Sequence, residues 1–320
     1  MEFRTTTLVL PDDYEGRVTA TLIETHPDRP TEAAVLYLHG YSDYFFQTHF
    51  AARIVASGRS FYALDLRKYG RSKLPFQHPD YTRDMSEYYP EIDRAVDKMR
   101  ADGKSDITLI GHSTGGLLAA LYCADGPERR FIDRLILNSP FLEFNQRWIV
   151  RHLVIPPAAW LSRVFPYIHT GGALSDVYFR SIHRSERGEW DFDTEMKPSG
   201  SVPLYFAWLR AVRNGQKRIK KGLGLTIPVL VMYSGVSYHR RRWDEAALRS
   251  DTVLDVKQIA RYALRLGDRV KRVSIDGGLH DLVLSRKEVR ERVMDCMVAF
   301  MDDRPVRAEG EHATEKIVAL

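Results

Sequence analysis

The stretch ITLIGHSTGGLLAALYCA (107–124) decides how the rest of the chain is read. Its first four residues form a short apolar run suited to a strand buried on both faces. Its last eight are apolar in a pattern suited to a helix. Between them, Gly111-His112-Ser113-Thr114-Gly115 fits Gly-x-Ser-x-Gly. Chance produces such a match in about one chain in ten of this length, so the flanks carry the argument. A strand turning this sharply into a helix must strain the backbone of its central serine. Residues two before and two after then crowd the neighbouring strand and helix, where glycine fits for want of a Cβ. Ser113 would sit at a helix N-terminus, where N–H groups and the dipole favour negative charge. It is the candidate nucleophile.

Outward from this stretch, apolar runs alternate with helical patterns. AAVLYLH (33–39), SFYALDL (60–66) and RLILNSP (134–140) read as strands, as does DITLIGH (106–112). Helices are expected over Phe46–Ser57, Arg83–Ala101 and Gly115–Ala124. Thr5–Leu10 and Arg17–Thr25, split by PDDYEG, predict a hairpin or meander. Continuous rather than alternating apolar strands argue for a mostly parallel central sheet with helices on both faces, an α/β fold. After Phe141 the rhythm breaks into aromatics, prolines and helical pieces without a convincing strand. It resumes with a strand in TIPVLVMYSG (226–235), a helix over Val256–Leu266, a strand in VKRVSID (270–276) and a helix over Lys287–Met301. The expected organisation is a core of residues 1–140 and 225–303, an inserted helical cap of 141–224, and a polar tail of 304–320.

Acyl transfer at a serine needs two N–H donors for the oxyanion, a base and an orienting acid. Thr114 N–H directly follows the nucleophile. Gly40 lets the chain turn after the first buried strand, making Tyr41 N–H the second donor; His39 is expected to brace that loop. The base should follow the last strand, where DGGLHD (276–281) offers His280. Asp244, Asp251 and Asp255 fall where the acid should lie. The preferred reading has Asp251 orient His280, with Asp255 capping the helix from Val256; Asp255 and Asp244 stay open as alternatives. There is no His-Glu-x-x-His pair or metal-ligand cluster, so neither metal nor cofactor is expected.

The formal net charge is +5 and the pI about 9.1. Basic residues concentrate at Arg210, Arg213, Lys217, Arg218, Lys220 and Lys221, and at Arg240-Arg241-Arg242. They read as solvated surface, or as an attraction to anionic substrates or lipid headgroups. No nucleic-acid motif is present. The two cysteines, Cys123 and Cys296, are expected to be reduced and buried. No apolar run approaches a membrane span, and MEFRTTTLVLPDDY is too polar for a signal peptide, so the default expectation is the cytoplasm. The cap aromatics, among them Trp148, Trp160, Phe165, Tyr178 and Trp208, would pack the cap and line an apolar acyl pocket. The expected partner is a small-molecule acyl ester or lipid, with transient membrane-surface contact through the cap and no nucleic acid.

HGYSDY (39–44), DLRKYGRS (65–72), GHSTGG (111–116), WLRAV (208–212), DTVLD (251–255) and GGLHDL (277–282) together resemble the monoglyceride lipase and lysophospholipase branch of the α/β-hydrolases, the serine aminopeptidase S33-like proteins. The likeness implies a Ser–Asp–His triad, here Ser113, Asp251 and His280, under a helical cap, with hydrolysis of acyl glycerols or lysophospholipids. Two departures stand out. The acid comes late, as if residues 236–250 were inserted near Ser237 and Tyr238, although its spacing to His280 suits the family. DLRKYGRS lacks the usual small-residue, histidine-containing form, and its Asp65 and Arg67 read as structural. Two competing expectations are an aminopeptidase, with Glu186, Glu189 or Asp191 taking the free amine, and a non-catalytic binding protein on the same fold.

Overall fold

The computed structural model describes residues 1–145, 153, 155–170, 176–200, 203–240 and 242–306. Trp148, Arg241 and residues 307–320 of the expected tail lie outside these. In chain order the strands are β1 (Arg4–Asp13), β2 (Gly16–Thr25), β3 (Ala33–Leu38), β4 (Ser60–Asp65), β5 (Asp106–His112), β6 (Arg134–Asn138), β7 (His169–Thr170), β8 (Leu204–Tyr205), β9 (Val229–Ser234) and β10 (Val270–Ile275). The helices are α1 (Thr48–Ala56), α2 (Tyr89–Ala101), α3 (Thr114–Asp125), α4 (Ile155–Leu161), α5 (Asp176–Ile182), α6 (Phe206–Lys221), α7 (Val256–Ala263) and α8 (Lys287–Met301).

Eight strands form one sheet in the order β1-β2-β4-β3-β5-β6-β9-β10. β2 runs antiparallel to β1 and β4; every pairing from β4 to β10 is parallel. This is the expected α/β architecture. Alternation along each strand feeds two cores. Val35 and Tyr37 pack with α1 and α8 on one face, whereas Leu36 and Leu38 pack with α2, α3 and α7 on the other. Both faces are buried, which is why the strand sequences are continuously apolar.

Some expectations are corrected. The segment after Phe141 does hold strands, the two-residue pair β7 and β8, too short to show a period. The helix expected from Arg83 begins at Tyr89, with Pro90 in its first turn; a separate 3-10 turn covers Met85–Tyr88. α6, expected within the cap, packs against α3 and shares its core. Its Gly215 makes that approach possible, because a Cβ there would lie 2.8 Å from Leu121 Cδ1. Cys123 and Cys296 are free thiols but partly exposed rather than buried. Among the described residues, no helix is long and apolar enough to cross a membrane.

Candidate active site

The β5–α3 turn carries Ser113 at φ 53° and ψ −116°, outside the regions an L-residue prefers. Close packing enforces it. A Cβ on Gly111 would lie 2.4 Å from Gly115 O, and one on Gly115 only 2.2 Å from His39 O. The parallel register sets Leu38 of β3 opposite Gly111 of β5, so the loop after β3 runs past the serine. A Cβ on Gly40 would sit 3.1 Å from Ser113 Cβ. Tyr41, the next residue, lines the same cavity as Ser113 and Thr114. As the first residue of α3, Thr114 has an N–H with no intrahelical acceptor.

His39 spans that loop from within. Its Nδ1 lies 2.8 Å from Gly40 O, and its Nε2 accepts from Leu66 N–H at 3.0 Å. With Nδ1 as the donor, both ring nitrogens are used and the ring braces the loop. Burial, the largest influence, holds its pKa below the ordinary histidine value.

His280 Nε2 lies 3.0 Å from Ser113 Oγ, and its Nδ1 lies 2.9 Å from Asp251 Oδ2. The other Asp251 oxygen accepts N–H bonds from Val253 at 2.8 Å and Leu254 at 2.7 Å. All three side chains are buried. Asp251 comes late in sequence because residues 238–250 form an excursion closed at its base. Tyr238 N donates to Asp251 O, Asp251 N donates to Val236 O, and Ser237 bridges Asp251 in parallel. In space, Asp251 thus stands just beyond β9. The alternatives lie elsewhere: Asp255 accepts from Lys257 N at the start of α7, and Asp244 accepts from Ala246 N and pairs with Arg240.

The neighbouring Asp281 anchors the His280 loop. Its carboxylate accepts from Asn138 Nδ2 at 2.7 Å and Gln47 Nε2 at 3.1 Å, which joins β6, the α1 approach and this loop. Burial works to raise its pKa. His112, the Asn138 bond, Lys197 and Gln47 together hold it below the usual carboxylate range. Asp65 and Arg67 serve the frame instead: Asp65 takes Phe45 N–H and Arg71, and Arg67 pairs with Glu91.

A cavity of about 500 Å³ opens beside Ser113. One wall is apolar, formed by Phe141, Phe144, Ile155, Leu204, Phe206 and Trp208. Asp43, Tyr178 and Lys197 also line it. Lys197 Nζ lies 2.7 Å from Asp43, both buried, and Tyr178 packs edge-on to the His280 ring. Sequence reasoning missed this ion pair, because no local pattern links two residues brought together only by folding. Of the other aromatics between residues 141 and 224, Trp160 and Phe165 are exposed, and Trp190 donates to Leu284 O. The acids proposed for an amine site do not line the cavity: Glu186 pairs with Arg180, Glu189 with Arg290 and Asp191 with Arg184. Among the described residues, no group of three His, Cys, Asp or Glu side chains is placed to hold a metal ion.

The family model described as serine aminopeptidase, S33 matches residues 29–241, a span that holds Ser113 but ends before Asp251 and His280. Human epoxide hydrolase 4 is 29% identical over 133 residues, covering 42% of this chain and 34% of that protein. This chain thus spans about a third of the length of that relative. A monoacylglycerol lipase of Mycolicibacterium smegmatis is 27% identical over 211 residues, covering 65% of this chain and 71% of that one. A soluble variant of monoglyceride lipase from Saccharomyces cerevisiae, solved with a substrate analog, shares the fold with a TM-score of 0.66 at 14% identity, covering 94% of this chain and 96% of that chain.

Proposed function

This chain belongs to the serine aminopeptidase S33 family of α/β-hydrolases, and from that premise we propose that it hydrolyses carboxylic esters of lipid-like acyl groups through an acyl-enzyme on Ser113. The observation that carries the reading is the continuous pair of contacts from Ser113 Oγ through His280 to Asp251, beside an apolar cavity. Asp251 holds the proton on Nδ1, which leaves Nε2 free to take the serine proton as Oγ attacks the ester carbonyl. Tyr41 and Thr114 N–H groups receive the oxyanion. The imidazolium then protonates the departing alcohol, and a water molecule repeats the sequence to release the acid. The apolar wall would take the acyl chain.

The aminopeptidase reading finds less support. A free α-amine calls for an uncommitted carboxylate at the cavity, and Asp43, which lines it, already holds Lys197. A binding protein that no longer turns over would have no need to keep Ser113 strained against His280. Turnover of p-nitrophenyl esters of graded chain length, run beside aminoacyl-arylamides, tests all three readings. The ester reading expects hydrolysis of medium-chain esters and its loss in Ser113→Ala. Faster cleavage of arylamides would favour the peptidase, and no turnover of either would favour the binder.

A further inference from the structure

We propose, resting on the acyl-enzyme reading above, that Asn138 at the end of β6 is a positioning residue that ties the nucleophile to the base. Its backbone holds Ser113, and its side chain holds the two residues that follow His280.

The backbone serves the nucleophile. The parallel register sets Asn138 opposite His112 on β5. Its carbonyl accepts Ser113 N–H at 3.0 Å and lies 3.2 Å from His112 Nδ1. Ser139, the next residue, is in the left-handed region at φ 46°, and its N–H donates to Met232 O on β9 at 2.8 Å. The chain then returns, and Phe141 N–H donates to Ser113 O at 2.9 Å. Both backbone polar groups of Ser113 are thus bonded to residues 138–141. A non-glycine residue persists at positive φ where its surroundings over-determine it. Here the surroundings are the serine turn on one side and β9 on the other.

The side chain serves the base. Asn138 Nδ2 donates to Asp281 Oδ1 at 2.7 Å, and Asn138 Oδ1 accepts Leu282 N–H at 3.2 Å. Asp281 and Leu282 directly follow His280. A carboxylate can only accept and an N–H can only donate, so the amide has one orientation that satisfies both. Gln47 Nε2 holds the second Asp281 oxygen at 3.1 Å. Asn138, Asp281 and Gln47 are all buried, so a lost bond here leaves a polar group without its partner.

Ser113 and His280 are 167 residues apart in sequence, yet Oγ and Nε2 lie 3.0 Å apart. Asn138 is bonded to the backbone of the first and to the neighbours of the second, so it fixes one against the other. Leucine at 138 would keep the volume and bond neither Asp281 nor Leu282. Aspartate would set two carboxylates against each other. Asn138, Asp281 and Gln47 do not line the cavity, so the alignment of the reacting pair can be disturbed without touching the substrate's contacts.

Ester hydrolysis by the full chain tests this, with kcat and KM measured separately in Asn138→Leu and in the exchange variant Asn138→Asp/Asp281→Asn. In the exchange variant the new amide donates to the new carboxylate, whose other oxygen still accepts Leu282 N–H, and the amide oxygen still accepts from Gln47. Melting curves restrict the kinetics to temperatures at which each variant is folded. Asn138→Leu should lower kcat on the order of 100-fold, as a small misplacement of reacting groups does, with KM unchanged. Fluorophosphonate labelling should slow by a similar factor. The exchange variant should recover most of kcat, which a merely structural role for Asn138 would not predict. The proposal is overturned if folded Asn138→Leu keeps the wild-type kcat, if its loss falls in KM, or if the folded exchange variant is as slow as Asn138→Leu. Should Asn138→Leu not fold, the exchange variant decides alone: kcat near the wild type supports the proposal, and a folded variant without turnover overturns it. A wild type that neither hydrolyses esters nor takes the probe overturns the ester reading itself, whereas an active wild type with indifferent variants overturns only the role of Asn138.

Discussion

Asp251 and Asp255 lie four residues apart and have different tasks, and each task predicts a different loss. Asp251 is buried against His280 Nδ1, while Asp255 faces the first turn of α7. Asp251→Asn should leave the fold in place and lower kcat for ester hydrolysis by about 10,000-fold, because the amide favours the wrong imidazole tautomer. Asp255→Asn retains an N-capping side chain and should change little; Asp255→Ala should cost about 1 kcal/mol in denaturant unfolding with kcat unchanged. Loss of kcat in the Asp255 variants alone would reverse the assignment. Asp80 offers a prediction with a definite sign. Burial, opposed by Lys73 and helped by Asp43, pushes its carboxyl up to about 8 from 3.8. The folded state therefore prefers the proton-bound form, and that stability, complete below the unfolded value, is lost as pH rises through the folded one. Asp80→Asn should raise the melting temperature more at about pH 9 than at about pH 6, and equal shifts would contradict the assignment. At this scale the placement of Ser113 and His280 just past strand ends was readable, since each follows a strong strand pattern with glycine in the intervening turn. Asp251 was harder, because the Ser237–Asp251 bridge that restores its position has no apolar period to announce it.

The strand–turn–helix unit around Ser113 tolerates no added atom. Gly115→Ala would place a methyl 2.2 Å from a backbone oxygen of the neighbouring loop, which cannot move without displacing Tyr41. The expected outcome is loss of soluble protein or a large drop in melting temperature, and a normally folded, active variant would contradict the packing described. The segment holding Phe192, Asp193 and Lys197 is joined to the loop after β3 in the same residue-specific way. Asp193 N donates to Tyr44 OH at 2.7 Å, Phe192 packs on Phe46, and Lys197 pairs with Asp43. Lys197→Met leaves Asp43 buried without its partner and should cost about 3–5 kcal/mol in denaturant unfolding, most of it regained in Lys197→Met/Asp43→Asn. Additive losses would mean that the two groups do not act as a pair. Long elements such as β3, β5 and α8 were legible because burial imprints a repeat on them. β7, β8 and the 3-10 turns are too short to carry one, and tertiary contacts alone define them.

Across the whole molecule, a mostly parallel sheet covered on both faces follows from continuous apolar strands and the helices between them, so the fold class was open to reading from sequence. The packing of α6 was not, because it falls within residues 141–224, expected to form a separate cap, yet packs against α3. The fold also predicts acid sensitivity. His39 and His112 are buried with pKa values held below 6.5, chiefly by desolvation. Stability from their neutral forms is present above the unfolded value and is lost as pH falls through the folded ones. In Asp80→Asn, where the opposite trend from Asp80 is removed, the melting temperature should therefore decline as pH is lowered below about 6. The central claim is that Ser113 is an activated nucleophile, and a fluorophosphonate probe reads it most directly. Labelling should approach one equivalent per chain, map by peptide analysis to Ser113, and vanish in Ser113→Ala. No labelling of the folded wild type, or labelling that survives Ser113→Ala, would contradict it.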